Sequence, residues 1–421
     1  MVAQRRLPAI DGNTVSGSTL LGNIGGLGVG WEFVGSTLDA GSFGAVQDKV
    51  TDDTAAIQRG LNFLNSIGGG SLLLSSQPSI AGQVVIPQFT GLIGPRPGPY
   101  ELPFQPTGRL ATIYVPNSSQ SPIVMASRDS WVQDLAVFYP NQVAPTAATP
   151  TVYPATISIP ANSAGNKVRR CTFVNSYDGI SVKGGRHSFE DMKIGAFHNP
   201  FIVDNCLDVN WFSRILCSSF WDNIASLPYP QNIDTWVAAN QTVFTVSRAD
   251  GMDMQSIFAF AGNIGMLLTD SASGNSYGFG SNVRFDTFTT GIAAQSTANP
   301  GWEFNNLGVG SSGPPITMPV GGAHTPKLHA YGGSFWGANK SPTNAASGLL
   351  DIQGVDGYAS LGFYGTAPIT QPVANLDNSN FSVQAGTAVN LNSRFGGTIG
   401  ISQYTITDLV DALKGLGLIA P

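Results

Sequence analysis

Charge is what this sequence has least of. Of its 421 residues 11% are charged, with 20 Lys and Arg against 26 Asp and Glu, a formal net charge of −6. A surface so poor in cations cannot neutralise a run of phosphates, which needs clustered Lys and Arg. The basic clumps, Arg5 with Arg6 and Lys167 with Arg169 and Arg170, are too small to change this, so nucleic acid is excluded as a partner. Cysteine is scarcer still. Cys171, Cys206 and Cys217 form no C-x-x-C and cannot all pair, which excludes a disulfide scaffold and a structural zinc site and reads as three buried thiols.

Other absences narrow the chemistry. No apolar run approaches the ~18 residues that span a bilayer, and Met1–Gly12 has no apolar stretch after its two arginines, so neither a membrane span nor a signal peptide is expected. There is no G-x-S-x-G and no Walker loop, and Gly26–Gly30 lacks the flanking strand and helix of a dinucleotide site. His324 and His329 are separated by a segment containing Pro326, which argues against a zinc pair. Neither a metal nor a cofactor is expected. Glutamate occurs four times, at 32, 101, 190 and 303, so a glutamic general acid has few candidates.

What the chain does have is 51 glycines and 27 prolines, with a polar surface built from Ser, Thr, Asn and Gln, a composition of turn-rich β architecture. Residues 1–40 are Gly- and Ser-rich with isolated apolar residues and are read as an arm ordered only against another surface. A single amphipathic helix follows, with Thr51 or Asp52 as cap, Ile57, Leu61 and Leu64 on one face and Gly68–Gly70 as its stop. Leu72–Leu74 then reads as a buried strand.

Beyond the helix the sequence repeats. Asn166–Gly185 aligns with His187–Cys206 so that Val168 falls over Phe189, Phe173 over Ile194, Ile180 over Phe201 and Val182 over Val203, each 21 residues apart. The same step carries Ile194 to Ile215, and looser copies occur from Ser130 to Gly365. Short strands broken by Gly, Asn and Asp at this period, with no helices between, predict a solenoid of stacked β-coils whose equivalent residues form internal columns. The helix then serves as a lid over the first coil, with Asp52 and Asp53 as caps. Residues 142–165 read as an extra loop or a distorted coil. Thr405–Pro421 carries Leu409, Val410, Leu413 and Leu416 on one face and is predicted to be a terminal helix.

Phe43-Gly44-Ala45-Val46, Val50-Thr51-Asp52-Asp53-Thr54, Ala55-Ala56-Ile57-Gln58 and Gly68-Gly69-Gly70 resemble, in order and spacing, the signature that opens pectate-lyase-like right-handed parallel β-helix proteins, found in bacteriophage tailspikes and polysaccharide-degrading enzymes. Ser75–Ile80 departs from the Pro- and Gly-rich strand-turn that usually follows. The resemblance implies an all-β, right-handed single-stranded parallel β-helix over 41–394, an N-terminal attachment arm over 1–40 and a helical tail over 395–421. It also implies a homotrimer on a phage or phage-like particle, joined to other tail proteins through the arm, with a lateral face that binds and in some members depolymerises a bacterial surface polysaccharide. Alternatives are a free, secreted polysaccharide lyase or glycoside hydrolase of this fold, and an inert virion decoration. The absent leader favours a protein released by lysis.

Glycoside hydrolysis uses two carboxyl groups roughly 5–9.5 Å apart, and adjacent coils lie about 4.8 Å apart. The 21-residue register sets His187 beside Asp208, Lys183 beside Asp204, and Asp178 beside Asn199, with Glu190 one coil before Trp211. The expected catalytic candidates are therefore Asp178, Glu190, Asp204, Asp208 and His187. Trp211, Trp221, Tyr177 and Lys183 are the expected sugar-binding residues, since amphipathic aromatics suit such surfaces. Each has a plainer reading as well: a surface ion pair for Lys183 with Asp204, a stacked polar corner for His187 with Asp208, a turn residue for Asp178.

Overall fold

The computed structural model describes residues 37–95, 111–117, 119–142, 149–218, 233–319, 325–338, 342–344, 348–353 and 355–357. The expected arm, apart from its last residues, and the expected C-terminal helix lie outside them, as does Trp221. Thr37–Asp39, at the end of the expected arm, is already a strand paired with Ser71–Leu73.

Every strand pairing is parallel, and each coil pairs with the coil before and the coil after it, the arrangement of a parallel β-helix. One internal column runs Leu72, Leu92, Val132, Val168, Phe189, Phe212, Met254, Gly280, Phe304, Ala330, Ile352. A second runs Ile113, Val137, Phe173, Ile194, Cys217, Ala259, Phe285, Val309, Phe335. A third runs Ile123, Ile157, Ile180, Phe201, Phe244, Met266, Ile292, Ile316. Alternation along each strand sends these residues inward and their neighbours out, so the columns form one continuous buried core. The three cysteines are free and buried within it.

The expected pairs Val168–Phe189, Phe173–Ile194, Ile180–Phe201 and Val182–Val203 are all in register. The next step is not 21. Phe189 lies over Phe212 and Ile194 over Cys217, so Ile215 stacks on Met192 instead of Ile194. Two extra residues at one corner shift every later outward neighbour, and this alone displaces several expected site pairs.

The corner itself has a backbone signature. Asp134, Arg170, Asp191, Arg214, Ser256, Asn282, Asn306 and Gly332 all have φ between 50 and 66°, and each immediately precedes an inward position. Stacked one per coil, they turn the chain at the same step through the left-handed region, which Asn, Asp and Gly adopt most readily. Where Asp and Arg occupy the corner they alternate in sign. Arg170 grips Asp134 at 2.5 and 2.6 Å, and Arg214 grips Asp191 at 2.5 and 3.0 Å.

Helix α1, Thr54–Ser66, buries Ile57, Leu61 and Leu64 in the same core at the start of the ladder, and the left-handed Gly68 follows its end. It also completes a strand edge: Val85 N donates to Gln58 Oε1 at 2.8 Å, and Gln58 Nε2 donates to Val85 O at 2.9 Å. Asp53 occupies the N-cap position of the helix but makes no capping bond with its side chain, and Asp52, one residue earlier, accepts from Thr54 N at 3.0 Å. Asp53 does something else: its buried carboxylate accepts from the N–H groups of Val46 (2.6 Å), Gln47 (3.1 Å) and Ser79 (3.3 Å), tying the entry loop to the next strand. Of residues 142–165, Ile157–Ile159 is a regular coil strand.

Large residues in the columns are matched by small ones. A Cβ on Gly278 would lie 2.6 Å from Met252 O and 2.7 Å from the ring of Trp302, which is fully buried one coil above. Gly278→Ala is expected to destabilise by about 1–3 kcal/mol through overpacking, read as a lower urea midpoint; an unchanged midpoint would mean that the ring has room to move.

Candidate functional site

The structure separates the expected site residues. His187 is fully buried. Its Nε2–H donates to Lys183 O at 2.8 Å and its Nδ1 accepts from Asn166 N at 3.2 Å, which fixes one neutral tautomer; burial pulls its pKa down to about 4. Its coil neighbour is Asn210, whose Oδ1 accepts from His187 N at 2.9 Å, not Asp208. His187 is thus a structural hinge of the corner with no face toward substrate. Asp208 pairs with the exposed Arg186 at 2.6 Å, and the Val209 N–H together with Arg186 holds its carboxyl below the usual range.

Lys183 and Asp204 are neighbours in register but form no ion pair among the described residues. Asp204 Oδ1 instead accepts from Ser271 Oγ at 2.7 Å and from Asn205 N at 2.8 Å, anchoring the 271–274 turn. Glu190 accepts from Ser188 Oγ at 2.7 Å and lies between Arg169 (4.0 Å) and Arg214 (3.8 Å), within the corner ion-pair array. Its next-coil neighbour is Ser213; Trp211 stands over Ser188 instead, 41% exposed.

Asp178 and Tyr177 do come together, with residues from three other elements. Strand Thr172–Val182 carries both, and Asn199, on strand Ser188–Val203, is in register with Asp178 as expected. Asp178 Oδ1 accepts from Asn199 N at 3.0 Å and Asn199 Nδ2 at 3.3 Å, and lies 2.9 Å from His198 Nδ1. The same ring nitrogen lies 2.6 Å from Asn199 Nδ2, so the imidazole, the carboxylate and the amide form one polar cluster. Asn199 is fixed from beyond by Thr245 Oγ1, which donates to its Oδ1 at 2.8 Å. Behind the carboxylate, Thr156 Oγ1 links the buried Tyr139 hydroxyl (3.0 Å) and Ser176 (2.9 Å), and the Thr156 N–H donates to the Asp178 carbonyl at 3.1 Å. Every atom that sets the position of Asp178 is therefore itself held.

Three rings surround this group. Tyr177 stacks on His198 with centroids 4.8 Å apart at 27°, and Trp236 tilts toward both, 6.0 Å from Tyr177 and 6.3 Å from His198. Trp236 arrives on helix α2, Ile233–Asn240, whose Ile233 and Val237 pack on the outward-facing Phe197. Gln241 pins the end of the helix by donating to Ala196 O at 2.6 Å. Burial, with Asp178 adding to it, pushes the Tyr177 phenol up. Asp178 Oδ2 has no protein donor among the described residues, which leaves a carboxylate oxygen beside half-buried aromatic faces. This notch can accept a hydroxyl hydrogen bond while stacking against an apolar ring face, the two contacts a pyranose offers.

His198 was within reach of the sequence. The 21-residue step that pairs Asp178 with Asn199 also carries Tyr177 to His198. No such signal marks the site of Trp236, because α2 lies in an excursion from the coil and its docking is tertiary.

No protein-family model and no curated protein matches the sequence. Solved structures do match. The Streptococcus pneumoniae surface protein and adhesin PfbA superposes with a TM-score of 0.52 at 10% identity over 78% of this chain and 97% of its own. A tailspike protein mutant of E. coli bacteriophage HK620, in complex with a hexasaccharide, gives 0.55 at 12% over 79% of this chain and 63% of its own. The catalytic unit of a GH87 alpha-1,3-glucanase from Streptomyces thermodiastaticus gives 0.50 at 10% over 78% and 65%. All three are parallel β-helices, and at such identities the likeness establishes the fold.

Proposed function

We propose that the chain is a receptor-binding spike of a bacteriophage or phage-like particle, a homotrimer attached through residues 1–40, whose lateral face binds a bacterial surface polysaccharide. The observation that carries the glycan reading is the notch: a carboxylate with one oxygen that has no donor among the described residues, bracketed by Tyr177, His198 and Trp236. The structural likeness to a tailspike that holds a hexasaccharide and to a bacterial surface adhesin supports it, as does the Phe43–Gly70 resemblance. Of the other expected carboxylates, Glu190 and Asp208 sit in ion pairs and Asp204 anchors a turn, so binding is the primary activity. The His198–Asp178 pair favours a second reading, in which an oriented imidazole acts as general base in glycan cleavage.

Affinity electrophoresis of the full chain in gels containing polysaccharides from candidate host strains tests the first reading, with reducing ends and unsaturated uronates assayed on the same mixtures. Retention without product is the expected result. Trp236→Ala is expected to weaken retention about tenfold, the loss of one stacking contact, and retention of no polysaccharide overturns the proposal. Light scattering should give three times the chain mass; a monomer would remove the trimer.

A further inference from the structure

A second outward face, remote in register from the notch, has a composition that its structural role does not require. On the strands that follow the 23-residue step, Trp211, Asp253, Phe279, Glu303, His329 and Asp351 stand in one column, one per coil. Their chain neighbours Phe212, Met254, Gly280, Phe304, Ala330 and Ile352 are the buried column, so this set faces out. Trp211 is 41% and Phe279 47% exposed, large apolar surfaces with no structural use there. Toward the far end His329 Nδ1 lies 3.3 Å from Asp351 Oδ2, and the Tyr331 hydroxyl lies 3.3 Å from the same nitrogen.

We propose that this column is a second glycan track, parallel to the helix axis, that takes an uncharged polysaccharide. The proposal rests on the glycan-binding reading above and adds both a site and a substrate class to it. Geometry supplies the direction: coils repeat about every 4.8 Å, close to the length that one pyranose adds to an extended chain, so successive sugars meet successive coils. Trp211 and Phe279, two coils apart, offer stacking faces, and the polar members between and beyond them offer hydrogen bonds.

Charge supplies the class. Asp253, Glu303 and Asp351 put three carboxylates in the column, and the outward positions two residues further along the strands are Ser213, Gln255, Ser281, Asn305 and Tyr331, none of them basic. Of the cations at its edges, Arg214 is paired with Asp191, whereas Lys327, hydrogen-bonded to the neutral Asn299 at 2.7 Å, and the exposed Arg284 beyond the corner keep their charge, so carboxylates dominate within the column itself. A polyuronate laid here would meet like charge at every second coil, whereas the hydroxyls of an uncharged chain donate to those carboxylates.

The test uses the full-length protein and a panel of bacterial polysaccharides divided into uncharged and uronate-bearing members, with polygalacturonate as the anionic probe. Uncharged members should be retained and polygalacturonate should not. Trp211→Ala and Phe279→Ala should each weaken retention about tenfold with an unchanged melting temperature. Replacing the three carboxylates together (Asp253→Asn, Glu303→Gln, Asp351→Asn) should weaken the uncharged ligand and relieve the exclusion of polygalacturonate. Retention of polyuronates by the unaltered protein, or no effect of Trp211→Ala and Phe279→Ala where Trp236→Ala weakens retention, overturns the track and leaves the notch standing. Retention of no glycan overturns both.

Discussion

Phe201→Ala will lower the denaturant midpoint of the protein by far more than truncation of an outward-facing aromatic, costing about 3–5 kcal/mol. Phe201 is fully buried where two internal columns meet. Its ring stacks on Phe244 one coil later, centroids 4.9 Å apart at 5°, and meets Phe212 edge-on at 5.3 Å and Phe189 at 5.9 Å. Truncation therefore removes the transfer term of one ring and the packing partner of three others, in a coil whose backbone is held rigidly by ladders on both sides. In a solenoid each coil is stabilised by its neighbours, so a cavity here weakens two interfaces. Urea unfolding followed by tryptophan fluorescence reads the effect, with Phe260→Ala, at a position 36% exposed, as the control. Equal shifts for the two variants would mean that aromatic stacking is not what holds the coils together.

The second large effect is a loss of stability in mild acid that traces to His187. Its folded-state pKa, pulled down to about 4 by burial, lies below the ordinary value of 6.5. Between these values the unfolded chain binds a proton that the folded chain refuses, so stability rises with pH across that window. The contribution is fully present above pH 6.5, declines as the pH falls, and is lost by pH 4, amounting to about 3 kcal/mol. His187→Gln retains a donor for Lys183 O and an acceptor for Asn166 N without the titration. Melting temperatures of the two proteins should be close at neutral pH and diverge below pH 6.5, the unaltered protein falling further as the histidine's penalty is imposed; parallel profiles would show that the imidazole is protonated in the folded protein at no cost.

Much of the architecture was legible because the interior of a β-solenoid is one-dimensional. Val168 over Phe189 and Ile180 over Phe201 follow from a period that any reader of the chain can count, and Ile57, Leu61 and Leu64 mark the one helix laid across the first coil. Two of the misplaced pairs share one cause. A two-residue change in coil length leaves the apolar columns intact, because the inward alternation re-establishes itself, yet it moves every outward neighbour by two places. So Asp208 meets Arg186 instead of His187, and Glu190 meets Ser213 instead of Trp211. Where the period held, at Asp178 with Asn199, the outward pair was right as well. Asp53 shows a second limit: a carboxylate beside a helix start reads as a cap, and only the folded entry loop reveals that its three donors come from elsewhere.

The order of inward residues is a property of the chain itself, and with it the stack of coils. Which side chains share a surface was decided by the fold. Coil lengths set the lateral offset of each turn, and α2, docking on Phe197, brings Trp236 to Tyr177 and His198 from outside the repeat. Hydrophobic burial needs only that apolar groups reach the interior, whereas a binding site needs particular groups within a few ångströms of one another, and that distance is fixed by packing.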